Sequence, residues 1–130
     1  MAVTTFDTSA AGHVARLRTK PAIFIDGEAG TTGIEIRDRL AAVTDVEMRG
    51  IDPDKRKDPA VRQALMAEVD LVVLCLPDDA ARQAVVLADA LGPRAPRILD
   101  ASSAHRVAEG WTFGFPEMDA AQPEIGRAHV

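Results

Sequence analysis

The 130-residue chain has no tyrosine, one tryptophan and one cysteine. With aromatics at 4% there is no platform for stacking nucleic-acid bases, and a net charge of -5 argues against a general nucleic-acid binder. The lone Cys75 allows neither a disulfide framework nor a cysteine-built zinc cluster, so no metal is expected and a reducing cytoplasm is the simplest compartment. No apolar run approaches the roughly 20 residues of a membrane span, and no secretory h-region is present. What remains is an ordinary globular balance, 47% hydrophobic and 27% charged, in a chain long enough for one domain with its own core.

Residues 1–20 stand apart. They lack strand-like runs and carry Arg16, Arg18 and Lys20 against the single acid Asp7. A disordered or weakly helical tail is expected there, ahead of a domain over residues 21–123.

The strongest local signal is Gly27-Glu-Ala-Gly30-Thr31-Thr32-Gly33, between the apolar run Ala22–Asp26 and the amphipathic segment that begins at Ile34. Three glycines at i, i+3 and i+6 sit where a strand turns into a helix. Backbone N–H groups at such a turn, added to the positive end of the helix dipole, make a phosphate pocket. Glycine is needed where a Cβ would block the turn or hold the phosphate away. The competing reading is a plain strand-to-helix turn whose glycines serve packing alone.

Past Pro21 the pattern alternates. Strands are expected at Ala22–Asp26, Val46–Ile51, Leu71–Leu76 and Arg97–Asp100. Helices are expected at Thr31–Ala42, at Ala60–Glu68 (Val61, Leu65 and Val69 in helical spacing) and from Pro77 to about Leu91, where Gly92-Pro93 stops the last. This alternation predicts an α/β fold, a Rossmann-like doubly wound parallel sheet with right-handed crossovers. The expected strand order is 3-2-1-4, with ligand binding at the carboxyl ends of the strands.

The motif residues gather on that edge. Asp52 follows the second strand about twenty residues past the glycine turn, where a ribose-binding acid often sits. Lys55, Arg56 and Lys57 follow it, and a cationic cluster there suits the 2′-phosphate of NADP. The acid favours NAD and the cations favour NADP, and a solvated charged loop is the plain alternative. Cys75-Leu-Pro77-Asp-Asp ends the third strand. Cys75 lies in an apolar run and reads as a small core residue, while Pro77 and the backbone after it line the nucleotide groove. Asp100-Ala-Ser102-Ser103-Ala-His105-Arg106 ends the fourth. Arg106 can grip a phosphate or carboxylate, and Ser103 can donate to the same anion. Alternatively the serines cap a helix and His105 bonds a backbone carbonyl.

Four motifs in order, G-E-A-G-T-T-G at Gly27, C-L-P-D-D-A-A at Cys75, D-A-S-S-A-H-R at Asp100 and G-W-T-F-G-F-P-E at Gly110, make residues 20–122 resemble N-acetyl-gamma-glutamyl-phosphate reductases of the shorter, second type. Aspartate-semialdehyde dehydrogenases share the broader plan and are the runner-up. A stand-alone nucleotide-binding module is the alternative from another class. The resemblance implies NADPH-dependent reduction of a small acyl phosphate to an aldehyde in arginine biosynthesis, through a cysteine nucleophile and a histidine acid/base. It implies a homo-oligomer for the complete protein. Carried onto this chain, Gly27, Gly30, Thr31, Thr32 and Gly33 would hold the cofactor pyrophosphate, beside Pro77 of the groove, Arg56 and Lys57 would be candidates for its 2′-phosphate, and Ser103 and Arg106 would face the substrate phosphate.

The family's nucleophile lies in an Asn-Pro-Gly-Cys segment beyond the Pro-Glu motif, and its histidine lies further on. Neither is in these 130 residues, so no catalytic residue is assigned and a truncated cofactor domain, inactive alone, is expected. The closing Ile125-Gly-Arg-Ala-His-Val130 matches one reading frame of a widely used sequencing adapter. Residues 124–130 are therefore expected to be non-native.

Overall fold

A computed structural model of the protein describes residues 20–113 and 127–129. Residues 1–19, 114–126 and 130 lie outside them, and with them nearly all of the expected N-terminal tail and the Gly-Phe-Pro-Glu end of the fourth motif. Among the described residues no helix is long and apolar enough to cross a membrane.

Strand β1 (Ala22–Asp26) is buried at all five positions. An unbroken apolar run behaves this way when both faces of a parallel sheet are covered. It pairs in parallel with β2 (Glu47–Arg49) on one side and β3 (Leu71–Leu74) on the other, and β3 pairs in parallel with β4 (Arg97–Asp100). Alternate side chains sort to the two faces. Ala22, Phe24, Val72, Leu74 and Ile98 pack with helices α2 (Pro59–Met66) and α3 (Asp78–Asp89). Ile23, Ile25 and Val73 pack with Ile36 and Leu40 of helix α1 (Thr31–Ala41). This second layer is thin. Gly33 is the only buried residue of α1, and Ile34 is 41% exposed.

Local chemistry sets the helix starts. Asp58 caps α2 by accepting from the N–H groups of Ala60 and Val61, with Pro59 in the first turn. Asp78 and Asp79 open α3. By contrast, α1 opens at Gly30 with no side-chain cap and no acid in its first turn.

The fold class is the expected one; the strand order is not. The sheet runs β2-β1-β3-β4 instead of 3-2-1-4. The reason lies in β2, which carries Glu47 and Arg49 and has no buried position. So polar a strand cannot sit inside the sheet, as the expected order required, and it forms the edge. The apolar β3 instead lies directly against β1. This is the other common doubly wound order, with its switch point between β1 and β3. Beyond β4 the sheet continues through β6 (Arg127–His129) to β5 (Thr112–Phe113), both parallel. An unpaired strand edge accepts any extended segment, and here three residues of the tail expected to be foreign pair with β4.

Candidate functional site

At the switch point, the carboxyl ends of β1 and β3 frame a cavity of about 490 Å³. Gly27 and Glu28 from the glycine turn, Pro77 after β3, and Arg56 and Lys57 from the loop beyond β2 all line it. The position agrees with the rule that ligands of open α/β sheets bind where strand order reverses. Four of the expected cofactor residues, Gly27, Arg56, Lys57 and Pro77, are thus gathered on one cavity. Gly30, Thr31 and Thr32 are exposed at the start of α1, next to its rim but outside its lining, and Gly33 is buried beneath the turn.

The three glycines have different physical reasons. Gly27 has φ +94°, and a Cβ there would lie 2.3 Å from the Cys75 carbonyl oxygen. A Cβ on Gly33 would lie 2.3 Å from the Gly27 oxygen and 2.7 Å from Glu28 Cα. Both are demanded by the fold. Gly30 has φ -79° and ψ 169°, and its nearest neighbour to an added Cβ is the Gly27 oxygen at an ordinary 3.5 Å. Among the described residues nothing requires glycine at 30.

An ion pair supports the cavity from below. Arg62 grips Asp26 Oδ2 through Nη2 at 2.7 Å and Nε at 3.1 Å, and the two residues are 8% and 5% exposed. Burial pushes the Asp26 carboxyl above its ordinary range, and hydrogen bonding and charge from Arg62 pull it back. At the mouth, Arg56 Nη2 donates to Glu28 Oε1 at 2.9 Å and Nε donates to the Ile51 carbonyl at 3.4 Å. Sequence reading passed over Asp26, Glu28 and Arg62. One signal was available: Arg62 precedes Leu65 and Met66 on the apolar stripe of its helix, and Asp26 closes an apolar strand. A cation and an anion in such places call for each other.

Asp52 is not in this cavity. It lines a separate, shallower opening with Lys55 and Glu68, so the acid expected at the ribose position faces elsewhere.

The loop after β4 is tied into itself and to α3. Asp100, fully buried, holds His105 Nδ1 at 2.6 Å through Oδ2 and accepts from the Ser102 N–H at 2.8 Å through Oδ1. His105 therefore bonds a carboxylate instead of a backbone carbonyl, and its ring stacks on Trp111 with centroids 4.2 Å apart. Ser103 Oγ donates to the Asp78 carboxylate at 2.8 Å. Ser103 and Arg106 lie on the exposed side of this loop, outside the cavity lining.

Cys75 is half-buried, and its thiol is pushed up to about 11 by burial, with the nearby charges of Asp100 and Asp26 adding to the rise. It is a protonated thiol at neutral pH and a poor nucleophile. Iodoacetamide should therefore modify it about 100-fold more slowly at pH 8 than an unshifted thiol, two pH units being a hundredfold in thiolate. The rate should climb up to about pH 11. A rate that levels off near pH 8 or 9 contradicts this environment.

Fold and site together define a doubly wound, Rossmann-like α/β domain with a glycine turn at its switch point. Solved aspartate semialdehyde dehydrogenases have this fold. The one from Francisella tularensis superposes with a TM-score of 0.65 at 12% identity, covering 85% of this chain and 36% of its own. The one from Vibrio cholerae, solved with ASA bound, superposes at 0.58 and 13% identity, covering 86% of this chain and 38% of its own. At these identities the likeness concerns fold alone.

By sequence the chain is a homologue of the N-acetyl-gamma-glutamyl-phosphate reductases. It is 52% identical over 104 residues to that of Sinorhizobium medicae, covering 80% of this chain and 33% of the relative. It is 53% identical over 105 residues to N-acetyl-gamma-glutamyl-phosphate reductase 2 of a Nostoc species, covering 81% and 32%. The chain thus spans about a third of the length of the curated relatives it matches. No protein-family profile matches it.

Proposed function

We propose that this chain is the NADP-binding part of a reductase that converts N-acetyl-gamma-glutamyl phosphate to the corresponding semialdehyde in arginine biosynthesis. The observation that carries the reading is Gly30. It is exposed, free of positive φ and free of any clash among the described residues, as a position kept bare for a ligand would be. The uncapped start of α1 supports the same view, because the first-turn N–H groups of Thr31, Thr32 and Gly33 have the positive end of a helix dipole behind them. A pyrophosphate at this turn would satisfy both. Gly27 and Pro77 would then bound the groove, and Arg56 and Lys57 would meet the 2′-phosphate.

When bound, the cofactor would supply hydride to the acyl carbon. This chain's own part is to hold and orient it. Ser103 and Arg106, on the same carboxyl edge, are assigned to the substrate phosphate. Ser103 must then release Asp78, whose charge otherwise opposes an anion there. The 130 residues, with the protonated Cys75 as their only thiol, are proposed to have no reductase activity of their own. A cytoplasmic location and a homo-oligomeric complete protein accompany this reading.

Titration with NADPH and NADH, followed by nicotinamide fluorescence, tests it. The purified chain should bind NADPH saturably. Replacing Arg56 and Lys57 together by Ala should weaken NADPH about tenfold more than NADH, because only the former carries the phosphate they would grip. Equal losses for the two cofactors sink the 2′-phosphate assignment.

A further inference from the structure

Glu28 occupies the first variable position of the glycine turn, where a charged side chain would be expected to point into water. Instead it turns into the cavity, with its side chain 18% exposed, and reaches across to the end of β2. There Oε1 accepts from Arg56 Nη2 at 2.9 Å and lies 3.6 Å from where a Cβ on Gly50 would stand. Arg56 is also anchored by its Nε to the Ile51 carbonyl. Two of its five N–H groups are thereby engaged, and three remain for an anion. The acid that the sequence spacing places here, Asp52, faces the other opening. The carboxylate beside Arg56 is therefore delivered by the turn after β1, not by the end of β2.

We propose that Glu28 sets the chain's selectivity between phosphorylated and unphosphorylated adenosine ribose, an inference that rests on the dinucleotide reading above. Its Oε2, not used in the bond to Arg56, is available to accept from a ribose hydroxyl. Its charge opposes a 2′-phosphate, halves the positive charge that Arg56 and Lys57 present, and competes for the Arg56 guanidinium. A 2′-phosphate can use Arg56 fully only by displacing Glu28. The conflict between acid and cations in this region thus resolves into one ion pair, in which Arg56 favours the phosphate and Glu28 restrains the preference. The wild-type chain should accept NADH as well as NADPH.

The test is the ratio of NADPH to NADH affinity in the wild-type chain, in Glu28→Gln and in Glu28→Ala, read by nicotinamide fluorescence at constant salt. Both variants remove the charge and only Gln keeps the shape. Both should raise the ratio about tenfold, NADPH tightening and NADH weakening. An unchanged ratio overturns the proposal. So does a fall in NADPH affinity, which would make Glu28 a support that holds Arg56 in place. Failure of the wild-type chain to bind either cofactor is a distinct result, which removes the dinucleotide reading and this inference with it.

Discussion

Replacing Arg62 by Ala should destabilise the domain by about 3–5 kcal/mol, the usual cost of breaking a buried pair from one side. The variant leaves Asp26, 5% exposed, with a carboxylate that has lost its cation. Against a typical total of about 5–15 kcal/mol, this is a large fraction of the fold's stability. The sign of the pH dependence follows from Asp26. Burial raises its folded pKa above the unfolded 3.8, so its contribution is fully present below that value and is lost as pH rises through the folded pKa. Without the opposing effect of Arg62 the rise is larger. The deficit of Arg62→Ala against wild type should therefore shrink as pH is lowered into the acidic range. Urea denaturation across pH measures it. A deficit below about 1 kcal/mol at pH 7 would mean that the pair is solvated. Replacing both partners by apolar residues, Asp26→Leu with Arg62→Met, should recover most of the loss.

The second large effect concerns Gly33. Substitution by Ala inside a helix ordinarily gains about 1 kcal/mol. Here the new Cβ would stand 2.3 Å from the Gly27 oxygen and 2.7 Å from Glu28 Cα, backbone atoms that cannot rotate aside. Helix α1 would have to lift off the turn. With only Ile36 and Leu40 holding it to the inner cluster, we expect a net loss of about 2–3 kcal/mol. Gly30→Ala, three residues earlier, should cost within about 1 kcal/mol, the difference between Gly and Ala at an uncapped helix start. Thermal melts of the two variants distinguish them. Equal destabilisation would mean that the glycines share a packing role and that Gly30 carries no signal about a ligand.

Much of this was legible in the sequence, for identifiable reasons. Strands β1 and β4 fall at the expected bounds, Ala22–Asp26 and Arg97–Asp100: β1 is an apolar run closed by an aspartate, and β4 is the apolar pair Ile98-Leu99 between Arg97 and Asp100. Gly27 at the start of the glycine turn, Pro77 and the Arg56-Lys57 pair share a cavity because an α/β sheet collects its strand-end loops on one edge, while Gly30 to Gly33 lie outside its lining. Strand order does not follow from the alternation of strands and helices alone; it turns on the polarity of β2, whose Glu47 and Arg49 send it to the edge. Asp26 with Arg62 and Glu28 with Arg56 were missed for another reason. They join residues 36 and 28 positions apart, and no local periodicity encodes such pairings. Asp52 misled because sequence distance from the turn does not fix which way a side chain faces.

As an anion cradle for a dinucleotide, the glycine turn must lose affinity for NADPH when Gly30 acquires a side chain. The most direct test is NADPH binding to the wild-type chain and to Gly30→Ala, measured beside their melting curves. Saturable binding to the wild type is expected, with at least about tenfold weaker binding to the variant, because a methyl group would stand between the phosphate and the backbone, while the melt stays close to that of the wild type. Equal NADPH affinity in the two proteins would contradict it and leave the turn as a packing device.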